Sequence, residues 1–443
     1  MKKQTYEKMK SMFHLIQHDW QDIGPLELVI YQLARGNTFN MRVMGLEELK
    51  RFRKDNPDCS ITFKPNHLSE ADFVLISVLF RENNMKVPVE GGSNLFIEDV
   101  DIFRDLLPNF INEKFKNYIM NHRMSVAQFL TCRGAFKLFR EPMSVKQEDG
   151  TEINVGRKAI ISLTQAYRYH LVQEKEMYVT FPGYSSMKLG FLEKLKKDTT
   201  KTGRSYTGKI DGFHHLPFQM DIEASLYTEV DLYIVDVNIA YERVLEDEHF
   251  SELTRLYASG ASKRDIYIKD MGHIMKEFYR DDVDSNLSIK FGEPRKIETE
   301  NLKGHFASRR IKSVAHQYAE DSFNNMLSMQ PIFPANIYFT AFNEDFRSQP
   351  VQMTREKIND IRNYLRTLVW GKDKKKVDLH YLMGYNNQII SADEIINRTF
   401  QIFSLPKRRI TDMEGDMFVI HNKEVAKQYR NHTSHFFENF DNL

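Results

Sequence analysis

Cysteine is almost absent from this sequence. Its 443 residues include two, Cys59 and Cys132, which rules out a disulfide framework and a four-cysteine zinc site and fits a reducing, cytosolic setting. Net charge is nearly absent as well. Lys+Arg 62 against Asp+Glu 61 leaves +1, so no global field draws the chain to nucleic acid or to an anionic membrane, and any attraction to anions is local. Long apolar runs are also missing: the longest, Phe73 to Phe80, is interrupted by one serine and falls well short of the roughly 18 residues that suggest a bilayer span. The opening MKKQTYEKMKSMFHLIQHDW mixes charges where a signal peptide carries an apolar core, so secretion is not expected.

The composition that remains is globular. Hydrophobic residues make up 41% and charged residues 28%, with 32 Phe, 20 Tyr and 20 Met, which excludes a disordered polyelectrolyte and a collagen-like chain. The length leaves room for two domains, or for one large core with helical additions. At the start, Tyr6, Met9, Phe13, Ile16 and Trp20 recur at helical spacing and form one apolar stripe. That stripe has two readings, packing on a main domain or lying in a membrane interface.

From about residue 58 the pattern changes. Short β-rich runs (Ser60 to Lys64, Lys86 to Glu90, Met177 to Phe181, Leu232 to Tyr241) alternate with helical ones such as Ser69 to Arg81. This alternation predicts an α/β fold with a central mixed sheet flanked by helices. After about residue 300 the helical pattern returns. The expected organisation is an N-terminal helical region over 1–57, an α/β catalytic domain over 58–295 and a C-terminal helical region over 296–443.

Three His-x-x-x-x-Asp pairs occur: His14/Asp19, His67/Asp72 and His316/Asp321. The first and third lie in helical runs, where five residues turn the side chains roughly 140° apart and out of hydrogen-bond reach. At His67 the chain leaves a predicted strand, and Ser69 can cap the next helix, so the backbone can bend Asp72 back towards the ring. Such a pair suits general-base catalysis, with Asp72 holding one imidazole nitrogen while the other accepts a hydroxyl proton. The competing reading is a plain Ser-x-x-Asp cap with His67 as a loop residue. His214 and His215 have no cysteine or carboxylate partners at suitable spacing, so they read as structural and no metal site is assigned.

The blocks around and after His67 resemble, in order, those of the glycerolipid acyltransferase superfamily, and within it the bacterial glycerol-3-phosphate acyltransferase family of the His-x-x-x-x-Asp type. NHLSEAD is similar to the family's first block, and VEGGSNLF (Val89 to Phe96) to its Gly-x-Asn-Leu stretch. RGAFKLFR (Arg133 to Arg140) resembles the Gly-Ala-Phe-Phe-Ile-Arg-Arg block, with Arg140 on the second arginine. GRSYTGK (Gly203 to Lys209) resembles the third block, and VDVNIAYERVLED (Val235 to Asp247) the fourth, with Asp236 where the family has proline. QYRNHTSHFF (Gln428 to Phe437) is similar to a segment of the longer glycerol-3-phosphate members. The resemblance covers about residues 58 to 250 well and the rest loosely.

The resemblance implies transfer of a fatty acyl group from an acyl thioester, on coenzyme A or acyl-carrier protein, to a hydroxyl of glycerol 3-phosphate in phospholipid synthesis. His67 is the implied base and Asp72 its partner, with Arg140, Gly203, Arg204, Ser205 and Lys209 as substrate contacts. No cofactor and no metal are implied, and no nucleic acid. A cytoplasmic protein peripheral on the inner face of a membrane is implied as well, with lysine-rich Lys188 to Lys209 either meeting anionic groups or forming a solvated loop.

Two departures bear on this. Lys201 and Thr202 precede Gly203 where the family's third block opens with glutamate, and the stretch YSSMKLGFLEKLKKDTTK separates TFPG from GRSYTGK. A catalytically impaired lipid-binding relative is therefore one alternative; acylation of lysophosphatidate or another lysolipid by the same residues is a separate one.

Overall fold

The computed structural model describes residues 3–17, 39–69, 71–92, 125–138, 143–146, 152–182, 212–244, 285–302, 307–342, 345–370, 377–405 and 408–437, with single positions 19, 96, 98, 247, 259 and 269. The described chain is α/β. Its centre is a mixed eight-stranded sheet flanked by helices, as the alternation predicts.

In chain order the elements are α1 (Lys3–Lys10), β1 (Phe39–Met44), α2 (Leu46–Asp55), β2 (Ser60–Pro65), α3 (Ala71–Glu82), β3 (Val89–Gly92), α4 (Val126–Cys132), β4 (Ala135–Leu138), a hairpin of β5 (Met143–Lys146) and β6 (Glu152–Val155), α5 (Arg157–Gln173), β7 (Met177–Val179), α6 (His215–Thr228), β8 (Leu232–Tyr241), β9 (Ser285–Phe291), β10 (Arg295–Lys296) and α7 (Ala307–Ser328). The sheet order is β1-β9-β8-β2-β7-β3-β4, with β10 also on β8. Strands β8, β2, β7, β3 and β4 run parallel, while β9 and β10 are antiparallel to β8 and β1 is parallel to β9.

Burial on both faces explains the strand sequences. All six residues of β2 are buried: Ile61 and Phe63 pack with Leu75, Ile76, Leu79 and Phe80 of α3. Along β8 the faces alternate, Val235, Val237, Ile239 and Tyr241 joining the α3 side and Leu232 and Ile234 the side of α5, α6 and α7. On that second side Tyr6, Met9, Phe13 and Ile16 of the first segment pack with Leu163, Tyr167 and Tyr169 of α5, and Phe13 meets Tyr167 edge-on at 5.1 Å. The apolar stripe is thus covered by the α/β core, while Trp20 lies outside the described residues. Gly45, at φ +81°, turns β1 into α2. A Cβ there would stand 2.3 Å from the Phe291 carbonyl oxygen, so only glycine fits.

Both end regions, expected to be helical, also contain strands, and the C-terminal one starts with a helix that belongs to the α/β core. Residues 39–44 supply edge strand β1, because Phe39–Met44 finds in β9 a parallel partner more than 240 residues away. Helix α7, through Ile311, Ala315, Ala319 and Met326, packs into the second face of the sheet. The chain from Ile332 to Phe437 then builds its own apolar core from α8 (Pro334–Thr340), α9 (Val351–Trp370), α10 (Ala392–Phe403) and α11 (Lys423–His432). It also holds the small antiparallel sheet of 348–350, 411–414 and 417–420. Among the described residues no helix is long and apolar enough to cross a membrane.

Candidate active site

Among the described residues, the carboxyl ends of the parallel strands gather His67 after β2, Gly92 closing β3, Phe181 after β7 and Tyr241 closing β8, at the end of an open α/β sheet where ligands characteristically bind.

His67 sits in the turn between β2 and α3, and the residue before it fixes that turn. Asn66 prolongs the strand ladder with its side chain, its Nδ2 donating to Ile239 O at 2.8 Å and its Oδ1 accepting from Ile239 N at 2.7 Å. Its own N donates to Val237 O at 3.2 Å. Asp72, in the first turn of α3, is fully buried. Its Oδ2 accepts from Leu68 N at 2.5 Å, Ser69 N at 2.9 Å and His67 Nδ1 at 3.0 Å, and its Oδ1 from the Tyr241 hydroxyl at 2.6 Å. Ser69 Oγ accepts from Ala71 N at 3.0 Å.

The capping and pairing readings of Ser69-x-x-Asp72 therefore hold together. One carboxylate satisfies two backbone N–H groups at a helix start and also holds the imidazole. The His67 side chain is 21% exposed, and the Phe181 ring lies 5.0 Å from it, centroid to centroid. With Nδ1 donating to Asp72, the ring presents Nε2 as its proton acceptor.

Beneath the turn, on the α5 and α6 side, is a buried ionic network. Lys64 donates to Asp221 and Thr180. Arg168 donates to Glu90 at 2.6 Å, Asp221 at 3.2 Å and Pro217 O at 2.9 Å, and the Tyr178 hydroxyl donates to Asp221 at 2.8 Å. Burial pushes the Lys64 ammonium down, opposed by Asp221. Burial also works against the Arg168 charge, but Glu90 and Asp221 override it and hold its pKa above the ordinary value. Two cations and two carboxylates thus tie the ends of β2, β3 and β7 to α5 and α6.

Of the residues singled out in the sequence, His67 and Asp72 are brought together. Arg140, Gly203, Arg204, Ser205 and Lys209 lie outside the described residues, as does the Lys188 to Lys209 stretch. The residues flanking that stretch meet, His214 N donating to Pro182 O at 2.9 Å, next to Phe181. His214 caps α6, its Nδ1 accepting from Leu216 N at 3.0 Å, and His215 stacks between His214 and His316 at 4.8 and 3.9 Å. Among the described residues no group of three or more His, Cys, Asp or Glu side chains is placed to hold a metal ion. Cys59 and Cys132 are buried, and burial pushes both thiols up. A cavity of about 860 Å³ lies between the end of β1, the first turn of α2 and the last turn of α3, and its lining includes neither His67 nor Asp72.

Sequence reasoning missed Asn66, Tyr241 and the Lys64–Asp221–Arg168–Glu90 network. Buried polar letters inside otherwise apolar strands, Lys64 in SITFKP and Glu90 in VEGG, are the signal that points to the last of these. No protein-family model matches the chain, and no curated protein matches it.

Proposed function

We propose that this protein is an acyltransferase that moves a fatty acyl group from an acyl thioester to a hydroxyl of glycerol 3-phosphate. The observation that supports this reading best is the imidazole of His67, tied through Nδ1 to a buried carboxylate at the carboxyl end of parallel strands. His67 Nε2 takes the hydroxyl proton as the oxygen attacks the thioester carbonyl carbon. Asp72 keeps the ring in the required tautomer and stabilises the imidazolium that forms. Collapse of the tetrahedral intermediate breaks the C–S bond, and the leaving thiolate takes the proton back from His67. The O–C bond made and the C–S bond broken balance without a covalent enzyme intermediate.

Arg204 and Lys209, with Arg140, are assigned to the acceptor's phosphate on the block resemblance, since a doubly charged phosphate calls for multi-donor cations beside glycines that admit backbone N–H groups. Pro182 and His214, which flank the Lys188 to Lys209 stretch in the chain, are hydrogen-bonded to each other next to Phe181, whose ring packs on His67, and this supports the assignment. The donor is acyl-coenzyme A or an acyl-carrier protein, and the lipid product calls for work at the cytoplasmic face of a membrane.

The test is transfer of labelled acyl groups by the purified protein, comparing glycerol 3-phosphate with lysophosphatidate and other lysolipids on both donor types. Transfer to glycerol 3-phosphate, abolished in His67→Ala, is the expected result. Preference for a lysolipid would reassign the acceptor. Wild-type-like turnover in His67→Ala would sink the assignment of the base.

A further inference from the structure

We infer that Tyr241 is a positioning residue for the His67–Asp72 pair, and that the C-terminal unit holds it in place by clamping the chain that leaves β8. This rests on the reading of His67 as the base. Tyr241 is 1% exposed, and its hydroxyl lies 2.6 Å from Asp72 Oδ1, on the opposite side of the carboxylate from the oxygen that receives His67. Turning the carboxylate about its Cβ–Cγ bond moves both oxygens at once. With Oδ2 held by the Leu68 and Ser69 amides and Oδ1 by Tyr241, the plane of the group is set. The line along which Nδ1–H donates is then set too, and with it the aim of Nε2.

The next three residues of the chain restrain Tyr241. Glu242, also 1% exposed, takes both Arg398 Nε (3.1 Å) and Nη2 (2.7 Å) from α10, and the Asn286 amide from β9 at 3.1 Å. Arg243 donates Nη1 to Ile402 O at 2.5 Å and Nε to Asp247 at 3.1 Å, with its guanidinium 5.0 Å from the Phe403 ring centroid. Val244 N donates to the Tyr429 hydroxyl at 2.8 Å, and that hydroxyl donates to Asp247 at 2.8 Å. Each of these three residues is therefore bonded to α10 or α11, with no residue between them and the one that holds Asp72.

The Tyr241 hydroxyl acts through Asp72 rather than on substrate, so its loss should appear in kcat and leave KM in place. Tyr241→Phe is expected to lower kcat at least about tenfold, the weight of one hydrogen bond to a charged group, with KM for donor and acceptor unchanged. Tyr429→Phe should lower kcat less, and Tyr241→Phe/Tyr429→Phe no further than Tyr241→Phe alone, because both changes act through one hydroxyl.

A second readout does not depend on turnover. In protein labelled with ¹⁵N-histidine, the His67 ring resonance, identified by its loss in His67→Ala, should shift in Tyr241→Phe and, by a smaller amount, in Tyr429→Phe. Absence of acyl transfer by the wild type would overturn the acyltransferase reading, and the resonance would still judge Tyr241. An unmoved resonance, or a rise in KM with kcat unchanged, overturns the positioning role. Fully additive losses in the double variant overturn the clamp.

Discussion

Asp72→Asn separates what the carboxylate does for the turn from what it does for the imidazole. Asparagine keeps the volume but offers one acceptor oxygen where the carboxylate offers two, and its NH₂ must face something. The least costly arrangement puts the carbonyl at the Oδ2 position, facing Leu68 N, Ser69 N and His67 Nδ1, and the NH₂ towards the Tyr241 hydroxyl, which can turn to accept. The two backbone bonds then lose their charge assistance, worth about half of each, and the buried site loses about 2–3 kcal/mol in all. That is a fraction of the roughly 5–15 kcal/mol of a typical domain, so the variant stays folded.

Its chemistry suffers as well. On the acyltransferase reading a neutral amide gives up the carboxylate's charge against the imidazolium, about 1.5–3 kcal/mol or on the order of 10- to 150-fold in kcat. The roughly 10⁴-fold loss in the Ser-His-Asp template, a worked example from another enzyme class, comes from the wrong tautomer, which the carbonyl facing Nδ1 avoids here. The assays are a urea denaturation curve and the acyl-transfer rate at saturating substrate. A kcat within tenfold of wild type would refute the pairing argument. An unchanged urea midpoint would refute the claim that one carboxylate organises the turn.

Two further outcomes are expected. Asp221→Asn should destabilise the protein by about 3–5 kcal/mol, since it leaves Lys64 and Arg168 buried with one carboxylate between them; a loss under about 1 kcal/mol on urea unfolding contradicts an ionic role for the network. Stability should also carry an acid-side contribution from the stacked histidines. His215 is lowered to about 4 from 6.5, first by burial and then by His316 and His214, and His214 is lowered by burial and His316. The unfolded chain therefore binds protons that the folded one refuses as pH falls from about 6.5 towards 4, so this contribution is full above that window and is lost on acidification. Partial exposure of the rings damps it. Raised carboxyls such as Glu242 and Asp236 act with the opposite sign, so the readout is the difference in urea midpoint between wild type and His215→Gln at pH 7.5, 6 and 5. A difference that does not change with pH contradicts the assignment.

Local pattern is enough to read one strand to the residue and the first strand and helix of the site to within two. LYIVDVNIAY reads as a strand because its two faces are both apolar enough to be buried, and β8 spans Leu232–Tyr241 as expected. The His67–Asp72 pair is legible because both residues belong to one strand-to-helix turn, where five positions of chain and a capping serine already constrain the geometry. The same reasoning sets aside His316/Asp321, which lies within α7. The pattern places the third strand too early, at Lys86 to Glu90 against Val89–Gly92, since Gly91 and Gly92 read as a turn signal yet pair with Lys137 and Leu138 of β4.

The fold class, the strand-to-helix turn and the hydrogen-bonded His67–Asp72 pair within it are thus legible in the sequence, because all of them depend on interactions between near neighbours. Tertiary structure alone decided that β1 closes the far edge of the sheet, that Asn66 locks onto Ile239 and that Lys64 meets Asp221 157 positions on. It also decided that Tyr241 reaches Asp72 and Tyr429 reaches Val244. Each of these depends on strand order and on which helix covers which face, and the period of a hydrophobic pattern encodes a residue's face but not the partner that face will meet.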